Sequence, residues 1–114
     1  MLRILSMAQY WHADGTFRSA AKHFMQLYLI HASFGKWTFP CAFIFMKRRR
    51  EHDYVQALLE LKAAAGRHGF VLDPWQVIVD FETGAIAAFL KIFGRIRVKV
   101  SFFLNNTLIL KHSF

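Results

Sequence analysis

Three acidic residues stand out because they follow strongly apolar stretches of the chain. Asp14 lies in the run WHADGTF (Trp11–Phe17), and both Asp80 and Glu82 lie in VIVDFETG (Val77–Gly84). An isolated carboxylate in apolar surroundings is costly unless it is paired or bound to a cation. If both runs form neighbouring strands, Asp14 and Asp80 converge at one edge of a sheet. Two such carboxylates can hold a divalent metal ion of the kind that catalyses phosphodiester cleavage and transfer.

A simpler interpretation of these acids stays open at this point. Asp14 can order a turn with Gly15, and Asp80 can cap the helix that follows it. Glu82 suits the start of that helix, where a carboxylate is favoured by the helix dipole, better than a catalytic role. The other four acidic residues suggest helix starts, exposed surface or a turn. They are Glu51, Asp53, Glu60 and Asp73.

Composition excludes several classes of protein. A 114-residue chain with 55% hydrophobic residues is no disordered tail, and its apolar runs are too short for a membrane-spanning helix. We also predict that no signal peptide is present. The single cysteine, Cys41, lies in an apolar run and suggests a buried, inert thiol.

A formal net charge of +8 indicates attraction to polyanions such as nucleic acid. A solvated basic surface without a specific partner is the alternative. The basic residues that could contact phosphate fall in two groups. They are Arg48, Arg49 and Arg50, and then Arg95, Arg97 and Lys99.

The hydrophobic pattern predicts the elements that must position these residues. Strand-like runs cover residues 9–17, 26–32 and 38–46, the first ending or bulging at Gly15 and the third suggesting a sheet edge at Pro40. A helical pattern begins at Glu51 or Asp53 and ends by Gly66 or Gly69. A strand over residues 76–80, a helix ending at Gly94 and a strand over residues 95–104 complete the order β-β-β-α-β-α-β. This order predicts an α/β domain with helices packed on a mixed sheet.

Three segments resemble the transposase domain of Mutator-like elements (MULE). They are DGTFRSAAKHFMQLYLIHA from Asp14, YVQALLELKAAAGRHGF from Tyr54 and VIVDFETGAIAAF from Val77. The resemblance covers about residues 11–100. It implies an RNase H-like fold, a DDE-type recombinase with Asp14 and Asp80 as its first two catalytic and metal-binding acids, and Mg²⁺ or Mn²⁺ as cofactor. It further implies DNA as the partner and a nuclear location.

The chain departs from the family pattern in its last part. No Asp or Glu follows Glu82, whereas the family places its third catalytic acid far downstream. Ser101 and Leu104 stand where the family tends to have a Cys-x-x-His pair. We therefore expect residues 1–114 to be one partial domain with a divergent tail over 101–114, lacking the C-terminal catalytic helix.

The resulting hypothesis is a transposon-derived transposase fragment that is inactive by itself because the third acid is absent. The alternative is a non-catalytic module that binds nucleic acid or protein, or a relic without function. A sheet without its covering helix would expose apolar residues such as Phe102 and Phe103, which predicts self-association.

Overall fold

Three helices and six strands make up most of the part of the chain that the structure describes. The computed structural model describes residues 1–17, 26–104 and 107–111, without the side chains of residues 16, 17, 102–104 and 107–111. The helices are α1 (Leu2–Met7), α2 (Glu51–Arg67) and α3 (Thr83–Phe93). The strands are β1 (Tyr10–Phe17), β2 (Gln26–Phe34), β3 (Trp37–Met46), β4 (Gln76–Asp80), β5 (Val98–Leu104) and β6 (Thr107–Lys111).

The described strands form one mixed sheet in the order β3-β2-β1-β4-β5-β6. Strands β1, β2 and β3 pair antiparallel as a meander. Strand β4 then lies parallel to β1, and β5 lies parallel to β4. Strand β6 returns antiparallel to β5. The predicted mixed α/β architecture is therefore confirmed, and α1 and β6 are additions that the hydrophobic pattern did not predict.

The core lies between one face of the sheet and the helices. Tyr28 of β2 contacts both Tyr54 of α2 and Phe89 of α3, with ring centroids 5.0 and 6.4 Å apart. Trp11 of β1 packs its ring on Phe93, and its indole N–H donates to the Leu5 carbonyl of α1 at 3.1 Å. All three described helices therefore cover the same face. None of them has the length and apolar character that crossing a bilayer requires.

The opposite face of the sheet, called here the open face, has no described helix on it. Its side chains alternate with the buried ones along β2 and β4. Leu29 and Ile78 are half-buried there, while Phe43 and Phe45 on the edge strand are 56% and 65% exposed. The open face thus presents apolar surface among the described residues. The side chains of Phe102 and Phe103, which the sequence hypothesis also expected to be exposed, lie outside the described part.

Two boundaries predicted from sequence are wrong. Strand β1 does not end or bulge at Gly15, because its pairing with β2 runs in unbroken register to Phe17. Strand β5 begins at Val98 rather than Arg95, and Ile96 is 92% exposed in the preceding turn. The prediction for Pro40 is confirmed: it lies in the edge strand β3, beside a register shift opposite Ile30 and His31.

Candidate active site

The fold brings the two apolar, acid-containing runs together as neighbouring parallel strands. Ala13 of β1 pairs with Val79 of β4, so the next residue in each strand is an aspartate. The backbone N–H of Gly15 donates a hydrogen bond to Asp80 Oδ2 at 3.3 Å. Asp14 and Asp80 therefore meet at the end of β4, and we call this pair the acid edge. The simpler interpretation is wrong, since Asp14 lies inside a strand and the N-cap of α3 is Glu82.

Both carboxylates of the acid edge have an oxygen withdrawn from solvent. Oδ1 of Asp14 and Oδ1 of Asp80 are buried and have no hydrogen-bond partner among the described residues. Burial raises the pKa of Asp80 to about 6, against the opposing effect of the hydrogen bond from Gly15. The negative charges of Glu82 and Asp14 add to the rise. Burial and mutual repulsion therefore make this pair of carboxylates a favourable place for a cation.

A second group of polar side chains lies beside the acid edge and ties three elements together. The Tyr54 hydroxyl of α2 donates to Glu82 Oε1. The Gln26 amide of β2 donates to the Tyr54 oxygen and to Glu82 Oε2, both at 3.3 Å. We call Gln26, Tyr54 and Glu82 the polar cluster. Burial and the bond to Glu82 raise the pKa of Tyr54, so its hydroxyl keeps its proton.

Glu82 has a further role in the polar cluster that was not predicted from the sequence. Glu82 is the N-cap residue of α3, as predicted, but its side chain makes no capping hydrogen bond. Its carboxylate instead points to Tyr54 and Gln26 and is only 16% exposed. Sequence reasoning missed both partners. The available signal was Tyr54 on the buried face of a helix, because a buried tyrosine hydroxyl needs a hydrogen-bond partner.

The first group of basic residues lies close to these acids. Residues Lys47–Arg50, here the basic segment, connect β3 to α2 and are exposed. Arg49 Nε lies 4.0 Å from Glu82 Oε1, and Arg50 forms an ion pair with Asp53 at 3.1 Å. The backbone of the segment reaches the start of α3, where a Cβ on Gly84 would lie 2.5 Å from the Arg49 carbonyl oxygen.

The second basic group is placed elsewhere. Arg95 and Arg97 precede β5, and Val98 pairs with Val77, so they lie at the end of the sheet opposite to Asp80. Arg97 is also engaged with Asp73 and with the Pro74 carbonyl at 2.8 Å. Lys99 pairs with Ile78, nearer to the acids. The structure thus brings Arg49 beside the acidic residues and separates Arg95 and Arg97 from them.

Among the described residues, the acid edge has two carboxylates and no third ligand of the usual types. Within the described ranges, no group of three His, Cys, Asp or Glu side chains is arranged to hold a metal ion. The neighbour of Asp80 on the other side is Ser101 of β5. A serine there provides neither thiolate nor imidazole.

Comparison with known proteins gives one match. The family model of the MULE transposase domain matches residues 10–107, which include every residue of the acid edge and the polar cluster. No curated protein matches the chain, and no solved structure does.

Proposed function

The chain belongs to the MULE transposase domain family, and on that premise we propose that its acid edge is part of a metal-dependent site for DNA strand cleavage and transfer. Asp14 and Asp80 are the first two acidic residues of this site. The strand order β3-β2-β1-β4-β5, with a meander followed by two parallel strands, supports the RNase H-like fold that the family implies. DNA as the partner and a nuclear location are further parts of the proposal.

The observation that carries the proposal is the hydrogen bond from Gly15 to Asp80, which joins the two motifs DGTF and DFE in space. The residues fit a hard cation, because each aspartate has a buried oxygen without a partner in the described part of the chain. Asp14 and Asp80 would hold Mg²⁺ or Mn²⁺. Such an ion, when bound, activates an attacking oxygen and stabilises the leaving one.

The chain's own residues prepare the acid edge for this role. Gly15 fixes Oδ2 of Asp80, while Oδ1 has no hydrogen-bond partner among the described residues. The pKa of about 6 keeps Asp80 ionised at pH 7.5, whereas a proton occupies it in mild acid and competes with a cation. Arg49 beside Glu82 provides positive charge near the site, where the phosphates of a bound strand would pass.

We further propose that this chain alone does not carry out strand transfer. No acidic residue follows Glu82 in the sequence, and Glu82 itself is held by Tyr54 and Gln26. Two carboxylates bind a metal ion weakly and position it poorly, and poor positioning lowers the rate of strand transfer steeply. Robust Mn²⁺-dependent nicking of DNA that disappears in Asp14→Asn would refute this part of the proposal.

The direct test is thermal unfolding with and without 1 mM Mn²⁺, since a ligand that binds only the folded state raises its stability. We expect Mn²⁺ to raise the Tm of the wild-type chain by roughly 2–6 °C and not to raise that of Asp14→Asn/Asp80→Asn. Asp53→Asn/Asp73→Asn is the control, because it changes the net charge equally and leaves the acid edge intact. An equal Mn²⁺ response in all three proteins would contradict the proposal.

A second candidate function is a non-catalytic module that binds nucleic acid. The exposed basic segment, together with a net charge of +8, favours it. DNA binding that persists in Asp14→Asn/Asp80→Asn would support it. Exposed Phe43 and Phe45 on the open face are the described residues through which the chain would associate with itself or with another protein.

A further inference from the structure

Gln26 is a buried polar residue, 7% exposed, whose amide orientation is determined by its neighbours. Tyr54 gives its hydroxyl hydrogen to Glu82, so the Tyr54 oxygen can only accept from Gln26. Glu82 Oε2 also needs a donor. Only the amide nitrogen has two hydrogens to give, and it therefore faces both oxygens. The polar cluster fixes the Gln26 side chain in one position.

The fixed amide packs directly on the backbone of Gly15. A Cβ added to Gly15 would overlap the amide nitrogen of Gln26 and lie 3.3 Å from Tyr28 Cδ1. Gly15 is extended backbone within a paired strand, so its need for glycine comes from this packing and not from a turn. The same residue donates its N–H to Asp80. Gln26 and Asp80 thus both contact Gly15.

We propose that Gln26 is a positioning residue for the acid edge. Held by Tyr54 and Glu82, it presses on Gly15 and aims the Gly15 N–H at Asp80 Oδ2, which leaves Asp80 Oδ1 to face a metal ion. This inference rests on the proposed function for its consequence, namely metal affinity. Its geometric content, the orientation of the Gly15 N–H by Gln26, can be measured without metal.

The test compares the wild type with Gln26→Leu, which keeps the size of the side chain and removes both donors. We expect the Gly15 amide hydrogen to exchange roughly tenfold faster in Gln26→Leu, while the amides of Val77 and Val79 exchange as before. Mn²⁺ affinity, followed by the electron paramagnetic resonance signal of free Mn²⁺, should fall roughly tenfold, as is usual when a residue supporting a ligand is lost. Tyr54→Phe should also speed Gly15 exchange and weaken Mn²⁺ binding.

Val98→Ala is the stability control, because Val98 is fully buried at the other end of the sheet. The proposal is overturned if Val98→Ala weakens Mn²⁺ binding as much as Gln26→Leu, or if Gln26→Leu leaves Gly15 exchange unchanged. Failure of the proposed function has a different result: the wild type then shows no binding of Mn²⁺ that depends on Asp14 and Asp80. In that case Gly15 exchange alone decides whether Gln26 positions the acid edge.

Discussion

At the scale of single residues, Asp80 makes the stability of the metal-free chain depend on pH. Its pKa is raised from the usual 3.8 to about 6 in the folded protein. Between these values the folded state holds a proton that the unfolded state has released. Stability therefore falls as the pH rises from about 4 to about 6, and the whole penalty is present above that range.

Asp80→Asn removes this penalty because an amide does not ionise. We expect the variant to be more stable than the wild type at pH 7.5 by roughly 1–2 kcal/mol, a value reduced because Asp80 is only half-buried and partly screened by solvent. At pH 4 the difference should vanish. Urea unfolding in the presence of EDTA measures both values.

Asp53 provides the control, because its pKa is lowered by the hydrogen bond from Arg50. A carboxylate whose pKa is lowered in the folded state stabilises that state at pH values above its unfolded-state pKa. This stabilisation is lost in acid. Asp53→Asn should therefore show the opposite sign to Asp80→Asn at pH 7.5. A stability difference for Asp80→Asn that is the same at both pH values would exclude the ionisation of Asp80 as its cause.

Sequence and structure agree at the residue scale where a pattern is local and diverge where the cause lies elsewhere in the fold. Glu82 was placed correctly at the start of a helix, because apolar periodicity begins just after it. The prediction that Gly15 ends or bulges its strand was wrong. A glycine is needed there because the Gln26 side chain of the neighbouring strand fills the space of a Cβ. Spacing along a chain carries no information about such a contact. The acid edge was anticipated only on the condition that its two strands were neighbours.

At the scale of elements, the start of α3 lies close to the start of α2 because residue 84 is a glycine. A Cβ on Gly84 would lie 2.5 Å from the Arg49 carbonyl oxygen, in the basic segment, and 3.2 Å from the Glu51 nitrogen, at the start of α2. Gly66, near the end of α2, has nothing within 4 Å of its Cβ position. A side chain at position 84 would therefore clash with backbone, whereas one at position 66 would not.

We expect Gly84→Ala to destabilise the chain by roughly 1–3 kcal/mol, because α3 or the basic segment must move. Gly66→Ala should stabilise it by about 0.5–1 kcal/mol through helix propensity. Urea unfolding of both variants tests the pair. Equal effects of the two substitutions would show that the close approach of α3 to the basic segment does not limit packing.

At the element scale, boundaries could be predicted from sequence where strong local signals flank an element. Strand β4 was predicted with its observed limits, because Pro74 precedes it and helical periodicity follows it. The alternation of Ile96 with Val98 predicted a longer β5, but Arg97 is held by Asp73 and Pro74 before the strand begins. Helix α1 escaped prediction because six residues carry too little periodicity.

At the scale of the whole molecule, the basic segment places one cation, Arg49, beside Glu82 and therefore close to the acid edge. Phosphate contacts release counterions, so affinity for DNA falls with salt in proportion to their number. We expect Lys47→Ala/Arg48→Ala to weaken DNA binding about tenfold in 50 mM salt and to reduce the salt slope by roughly 2. Fluorescence anisotropy with a labelled duplex measures both quantities.

Arg67→Ala/Arg95→Ala is the charge-matched control, with its substitutions at the end of α2 and before β5. We expect it to weaken binding less, because Arg95 lies at the end of the sheet opposite to Asp80 and Arg67 is at the end of α2 that is farther from the basic segment. If both double variants weaken binding equally, affinity follows net charge alone and the basic segment has no particular role.

The pairing of β1 with β4 also determines when the acid edge can form during folding. The hydrogen bond between Gly15 and Asp80 joins residues 65 positions apart, whereas β2 and β3 are joined by a short turn at Gly35. Closing the long loop costs more chain entropy and comes after local hairpins. Strand β4 must also leave the ribosome before β1 can pair with it. The meander can therefore form before the acid edge does, and the acid edge requires contacts between residues far apart in the sequence.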